Sequence, residues 1–161
     1  MGLLSIWHRL TSGTKPLEVG SAMPATIVAD QDGNLVNLES FSGKEWVLVY
    51  FYPKADTPGC TAQACSVRDG FTELTQKGVV VFGVSADTVE AQKRFLEKYH
   101  LPFTLLADVD RHVIHAFGVP TLPLVKLASR QAFLFHKGKL VWRDLSASTK
   151  AQADDVLRVL H

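Results

Sequence analysis

Apolar positions along this chain change period several times, and the changes outline its elements. Residues 46 to 52, Trp-Val-Leu-Val-Tyr-Phe-Tyr, are apolar without a break. Such a run, rich in β-formers, predicts a strand buried on both faces. "VVVFGVSA", 79 to 86, predicts another. "ATIVADQDGNLVNL" alternates around Asp32-Gly33-Asn34 and predicts a hairpin. "TPGCTAQACSVRDGFTELTQKG" predicts one helix, with Thr57 as N-cap, Pro58 in the first turn and Gly78 past the end. "DTVEAQKRFLEKYH" predicts an amphipathic helix capped by Asp87 or Thr88, with Val89, Phe95, Leu96 and Tyr99 along its apolar side. "FTLLAD" reads as a short strand and "RHVIHAFG" as a short helix closed by Gly118. "RQAFLF" and "KLVWRD" form a hairpin through Lys137-Gly138, and "SASTKAQADDVLRVL" a C-terminal helix. This alternation of strands and helices predicts an α/β layered fold around a central mixed sheet.

Composition narrows the function. A chain of 161 residues suits one domain with a sizeable core. A net charge of +1 supplies no basic field, so nucleic acid is not an expected partner. No apolar stretch approaches the ~20 residues needed to span a bilayer. At the N-terminus, Leu3, Leu4, Ile6, Trp7 and Leu10 could share one face of a short helix. His8 and Arg9 interrupt early and no small-residue cleavage site follows, so a secretory signal is not expected. Ile6 stands where a myristoylation pattern needs Ser or Thr. Residues 1 to 15 therefore read as a loosely held extension, or as a weak surface helix, ahead of a domain over 16 to 161. With no export signal, the expected compartment is the cytoplasm.

The chain has two cysteines, Cys60 and Cys65, five residues apart in "PKADTPGCTAQAC". A zinc or iron–sulfur centre needs three or four ligands, and no histidine lies near this pair. His112 and His115 could share a helix face, but no H-E-x-x-H pattern accompanies them. They read as exposed or packing histidines, and no metal or cofactor is expected. A two-cysteine, one-histidine copper site is the minor alternative. In a regular helix, five residues give about 7.5 Å of rise and place the side chains about 140° apart. The Cα atoms would then be about 8–9 Å apart, beyond the roughly 4.4–6.8 Å of a disulfide. A bond between the two requires local unwinding, which suits a switch better than a staple. A reactive thiol fits best. Cys60 would stand in the first turn of a helix, where open N–H groups and the dipole favour an anion. The thiolate is the nucleophilic form. Thr57 can direct its hydroxyl at the sulfur or a substrate, Pro53 and Pro58 stiffen the loop, and Cys65 is a candidate resolving thiol.

The stretch "FYPKADTPGCTAQACSVRD" closely resembles the peroxiredoxins, thiol-dependent peroxidases with a thioredoxin-like fold. Pro53, Thr57 and Cys60 match the family's P-x-x-x-T-x-x-C motif, and Cys65 resembles the resolving cysteine of the bacterioferritin comigratory protein or plant Q-type subgroup. "GVVVFGVSAD" and "LPFTLLAD" resemble later blocks. The resemblance implies hydrogen peroxide and organic hydroperoxides as substrates. It implies a Cys60 sulfenic acid, a Cys60–Cys65 disulfide, and recycling by a thioredoxin or glutaredoxin system. Thr57, the Cys60 N–H and one arginine would be the donors to the peroxide. Arg130 in "SRQAFLF" fits the arginine position, with Ala132 where a hydroxyl residue is usual. Arg68 is the rival, read as a packing or salt-bridge residue; Arg143 reads as a surface residue, and Phe51 and Tyr52 as strand packing. Monomer and weak dimer both fit. Two other classes compete: a thioredoxin-like disulfide exchange protein, against which the missing C-x-x-C counts, and a non-enzymatic metal-binding or redox-sensing module.

Overall fold

A computed structural model of the protein describes residues 15–160. The extension expected over 1 to 15 lies outside them, apart from Lys15. Seven strands form one sheet: β1 (Ile27–Asp30), β2 (Leu35–Asn37), β3 (Trp46–Phe51), β4 (Val79–Ser85), β5 (Thr104–Ala107), β6 (Gln131–His136) and β7 (Lys139–Asp144). Among the described residues, five α-helices and a short 3-10 helix at Leu38–Phe41 accompany them: α1 (Pro58–Asp69), α2 (Phe71–Gln76), α3 (Val89–Lys98), α4 (His112–Ala116) and α5 (Gln152–Val159). Sheet order is β2-β1-β5-β4-β3-β6-β7. β3, β4 and β5 run parallel, while β6 lies antiparallel to β3 and β1 antiparallel to β5. The result is the expected α/β thioredoxin-like architecture, with the N-terminal hairpin β1–β2 at one edge and β6–β7 at the other.

The unbroken apolar run of β3 has its explanation in two cores. Side chains alternate across a strand. Leu48, Tyr50 and Tyr52 enter the core shared with Ala64 and Val67 of α1, Leu74 of α2, Phe95 of α3 and Val156 of α5. Val47, Val49 and Phe51 enter the opposite core, with Val113 and Ile114 of α4, Phe117 and Phe133. Both faces of β3 are buried, so its side chains are apolar or aromatic.

Several predicted boundaries shift, each for a physical reason. The helix expected over 57 to 78 breaks at Gly70 into α1 and α2. There the chain passes so close to α5 that a Cβ on Gly70 would lie 2.7 Å from the Cβ of Ala153. The C-terminal helix, expected from Ser146, starts only at Gln152. The Ser148 hydroxyl accepts the N–H groups of Lys150 and Ala151 at 3.2 and 3.0 Å, holding a turn that competes with helix. Thr88 rather than Asp87 caps α3, its hydroxyl accepting from the Ala91 N–H. Arg143, expected at the surface, is half-buried and donates to the Leu17 carbonyl at 2.7 Å, pinning the segment that leads into β1.

The Gly70 contact is testable. Gly70→Ala should lower the urea midpoint with an unchanged slope, at a cost of about 1–3 kcal/mol from overpacking. A midpoint equal to that of the parent would mean that α5 yields freely at this contact.

Candidate active site

β3 ends at Phe51, and its chain enters α1 through residues 52 to 57. Thr57 is the backbone N-cap and Pro58 the first helical residue, as expected. Thr57 does not cap with its side chain, however. Its hydroxyl donates instead to the Lys54 carbonyl at 2.8 Å. Pro58 has no N–H, and the first turn of a helix leaves its donors without intrahelical partners. The N–H groups of Gly59 and Cys60 therefore stand open at the helix start. Cys60 is buried, with 1% of its surface exposed, whereas Cys65 is half-buried. Both are free thiols on one uninterrupted helix. By helix geometry their Cα atoms lie about 8–9 Å apart, too far for a disulfide in this conformation.

The sheet register delivers the next group. Phe51, the last residue of β3, pairs with Gln131, the first of antiparallel β6. Arg130, one residue earlier, therefore arrives beside the first turn of α1. Its Nη2 lies 3.4 Å from Cys60 Sγ, and its Nη1 donates to Gln63 Oε1. Gly59 leaves room for this guanidinium, since a Cβ there would sit 3.0 Å from Nη2. A guanidinium donor and the open first turn of α1 thus both lie at the Cys60 sulfur. Arg68 takes no part. It donates to the Tyr99 carbonyl at 2.7 Å and pairs with Asp69.

Behind the loop lies a polar network that sequence reasoning missed. Ala55 N–H donates to Asp87 Oδ2 at 2.8 Å, and the Ser85 hydroxyl donates to the same oxygen at 2.6 Å. Gln92, fully buried on α3, donates to Ser85 Oγ and to the Leu106 carbonyl and accepts from the Tyr52 hydroxyl. Tyr52 thus does more than pack. Burial raises its pKa far above the ordinary tyrosine value, so it stays a neutral donor. Asp56, in a left-handed conformation at φ 59°, meets Lys98 Nζ at 2.9 Å and the Tyr99 hydroxyl at 2.8 Å. Residues 54 to 57 are therefore tied to β4 and α3 from two sides. A cleft of about 630 Å³ beside them is lined by Lys54, Asp56, Asp87, Arg94 and Lys98, and Cys60 is not on its wall.

His112 and His115 do not approach the cysteines' site. His115 is exposed. The His112 ring bridges the Ile27 carbonyl and Asp110, with Asp108 at 3.2 Å. Burial opposes its charge, but these acceptors outweigh burial and raise its pKa. Asp108 accepts the Val113 and Ile114 N–H groups and so serves as the anchor of α4.

Comparison with known proteins gives the family. A profile of the AhpC/TSA family matches residues 19–143. The chain belongs to that family, and the relatives below place it among its peroxiredoxins. Peroxiredoxin Bcp of Escherichia coli (strain K12) is 54% identical over 104 residues, which are 65% of this chain and 66% of that protein's length. The peroxidoxin BcpB structure from Mycobacterium tuberculosis superposes with a TM-score of 0.82 at 32% identity, covering 89% of this chain and 96% of that one. A Xanthomonas campestris bacterioferritin comigratory protein, described for its alkyl peroxide reduction activity, superposes with a TM-score of 0.80 at 26% identity, covering 89% of this chain and 97% of that one. Among the described residues no helix is long and apolar enough to cross a membrane.

The loop anchor can be tested directly. Asp87→Ala leaves the Ala55 N–H and the Ser85 hydroxyl without their acceptor, a loss of about 1–3 kcal/mol. Amide exchange at Ala55 should accelerate at least about tenfold, beyond any change in the amides of β3. Unchanged protection at Ala55 would remove Asp87 as the anchor.

Proposed function

We propose that this protein is a thiol-dependent peroxidase that reduces hydrogen peroxide and organic hydroperoxides, with Cys60 as nucleophile. The observation that carries this reading is the Arg130 guanidinium 3.4 Å from the Cys60 sulfur, at an uncapped helix start. The Cys60 thiolate attacks one oxygen of the peroxide. The O–O bond breaks, and the other oxygen leaves as water or an alcohol after taking up a proton. Cys60 becomes a sulfenic acid. Charge develops on the leaving oxygen, so preorganised donors speed the step. Arg130 and the open N–H groups of Gly59 and Cys60 supply them. Thr57, whose own proton is committed to the Lys54 carbonyl, offers an oxygen lone pair to the peroxide O–H and so orients it. Pro53, half-buried just after β3, stiffens the entry to this loop.

Cys65 then attacks the sulfenic sulfur, the S–S bond forms and water leaves. This step needs α1 to unwind between the two cysteines, because the intact helix holds them too far apart. An external dithiol of the thioredoxin or glutaredoxin type reduces the bond and lets the helix reform. Two half-reactions with no metal complete the cycle. A cytoplasmic location, where such dithiols are kept reduced, suits it. The competing readings, disulfide exchange and metal or redox-sensing module, have no comparable support from the placement of Arg130.

The test is stopped-flow mixing of reduced protein with one equivalent of hydrogen peroxide, then mass spectrometry. The unmodified protein should lose two hydrogens and carry a Cys60–Cys65 cross-link. Cys60→Ser should abolish peroxide consumption; appreciable residual turnover would exclude Cys60 as the nucleophile. Cys65→Ser should oxidise Cys60 once, at a rate within about threefold of the parent, and then stall with a thioredoxin-type donor. Normal recycling by that variant would show that a donor thiol attacks Cys60 directly.

A further inference from the structure

Tyr50 on β3 and Tyr52 just after it enter the same core, but their hydroxyls fare differently. Tyr52 donates to Gln92 Oε1 at 2.5 Å. Tyr50 is fully buried, and its hydroxyl has no hydrogen-bond partner among the described residues. The register sets Tyr50 beside Gly83 of β4, and its phenol tip lies over that glycine. A Cβ on Gly83 would stand 3.0 Å from both Cζ and Oη of Tyr50, and 2.8 Å from a Leu105 methyl. The Phe103 ring packs edge-on against the phenol, with centroids 6.0 Å apart. A water lodged in this apolar seat would lack the two to four polar partners that hold a buried water. The hydroxyl therefore gives up its hydration and gains no hydrogen bond in exchange. A phenylalanine would fill the same volume without that loss.

The cover over this hydroxyl includes α1, whose Cys60, Ala64 and Val67 share the core with Tyr50. Burial raises the Tyr50 pKa well above the ordinary tyrosine value. Tyr52 and both thiols, Cys60 and Cys65, add to the rise, and Arg130 opposes it. The hydroxyl is thus neutral and lies in the field of both cysteines. The stretch of α1 between those cysteines is the one that must unwind before a disulfide can form. Once it unwinds, water and freed backbone carbonyls reach the core face that the helix had covered. The hydroxyl finds partners there. Its desolvation cost falls on the wound state alone, which shifts the balance toward the unwound one.

We propose that the Tyr50 hydroxyl, held without a partner beneath α1, biases that helix toward the unwound form in which Cys65 reaches Cys60. The inference rests on the peroxidase reading for the chemistry of the disulfide but not for the bias itself. Tyr50 makes no hydrogen bond to either sulfur and acts through α1, so it positions the resolving thiol.

Tyr50→Phe removes one oxygen and keeps the ring, so the fold is retained. In the reduced protein, amide exchange over residues 61 to 65 should slow at least about threefold. After one equivalent of hydrogen peroxide, formation of the Cys60–Cys65 disulfide, followed by quenched flow and mass spectrometry, should slow by a similar factor. Oxidation of Cys60 itself should stay within about twofold of the parent. A purely structural gain would slow exchange in β3, which reports global unfolding, and leave both α1 readouts where they were. That result would overturn the proposal, because unwinding would then bring the hydroxyl no relief. Faster exchange over 61 to 65 would overturn it as well, by showing that the hydroxyl is satisfied in the wound helix. A disulfide that formed at the parent's rate despite slower exchange would remove Tyr50 from the resolving step. The exchange measurement needs no peroxide. If the unmodified protein consumed none, the peroxidase reading would fall, and exchange over 61 to 65 would still decide the bias.

Discussion

The antiparallel pairing of β6 with β3 is the constraint on which the site depends. Phe51 faces Gln131, so the end of one strand meets the beginning of the other. The residue ahead of Gln131 must then lie over the first turn of α1, which begins where β3 has just ended. A slip of one residue would exchange the buried faces of β6, sending Phe133 and Phe135 out of the core they share with Phe51 and Phe117. The packing of those rings therefore sets the register, and the register sets the place of Arg130.

α1 is asked for two opposite properties. In the reduced state it must present the Cys60 sulfur, its open N–H groups and the Gln63 amide in one rigid arrangement. In the proposed cycle its middle must come apart so that Cys65 can reach Cys60. The tethers around it are arranged accordingly. Residues 54 to 57 are held from outside the helix by Asp87, Lys98 and Tyr99. At the far end Gly70 fits against Ala153. Between those points the helix carries buried Ala64 and Val67 but also the half-buried Thr61, Ala62, Cys65 and Ser66. An unwinding confined to this stretch breaks few large apolar contacts, and the strands beneath it keep theirs.

The polar groups buried near the site share a design. Tyr52, Ser85, Gln92 and Gln152 are almost fully buried and none carries a charge. Burying neutral groups avoids the desolvation penalty of an ion, and hydrogen bonds satisfy them apart from the Gln152 Nε2. The charged groups of the site lie nearer its surface: Arg130, the half-buried Asp87 that anchors the loop, and the partly exposed Asp56–Lys98 pair that closes it.

Much of this could be read along the chain. The unbroken apolar run at 46 to 52, the Asp32-Gly33 and Lys137-Gly138 turns, and the Thr-Pro start before Cys60 each act over a few residues. Local rules suffice for them: a strand buried on both faces is mostly apolar and aromatic, and proline fits the first turn of a helix. The spacing of Cys60 and Cys65 likewise implied, without coordinates, that no disulfide fits an intact helix. Other features needed partners distant in sequence. The helix expected over 57 to 78 is interrupted at Gly70, where α5 packs so closely that only a glycine fits. Gln63 and Gln92, polar residues within helices, gave no sign of burial, since their hydrogen-bond partners lie on other elements. Thr57 turned its hydroxyl to Lys54, and Arg143 bound a carbonyl far earlier in the chain. Periodicity reports only which face of an element is apolar. Which polar groups meet, and in which direction their hydrogen bonds run, was decided when the sheet register and the packing of α1, α3 and α5 brought them together.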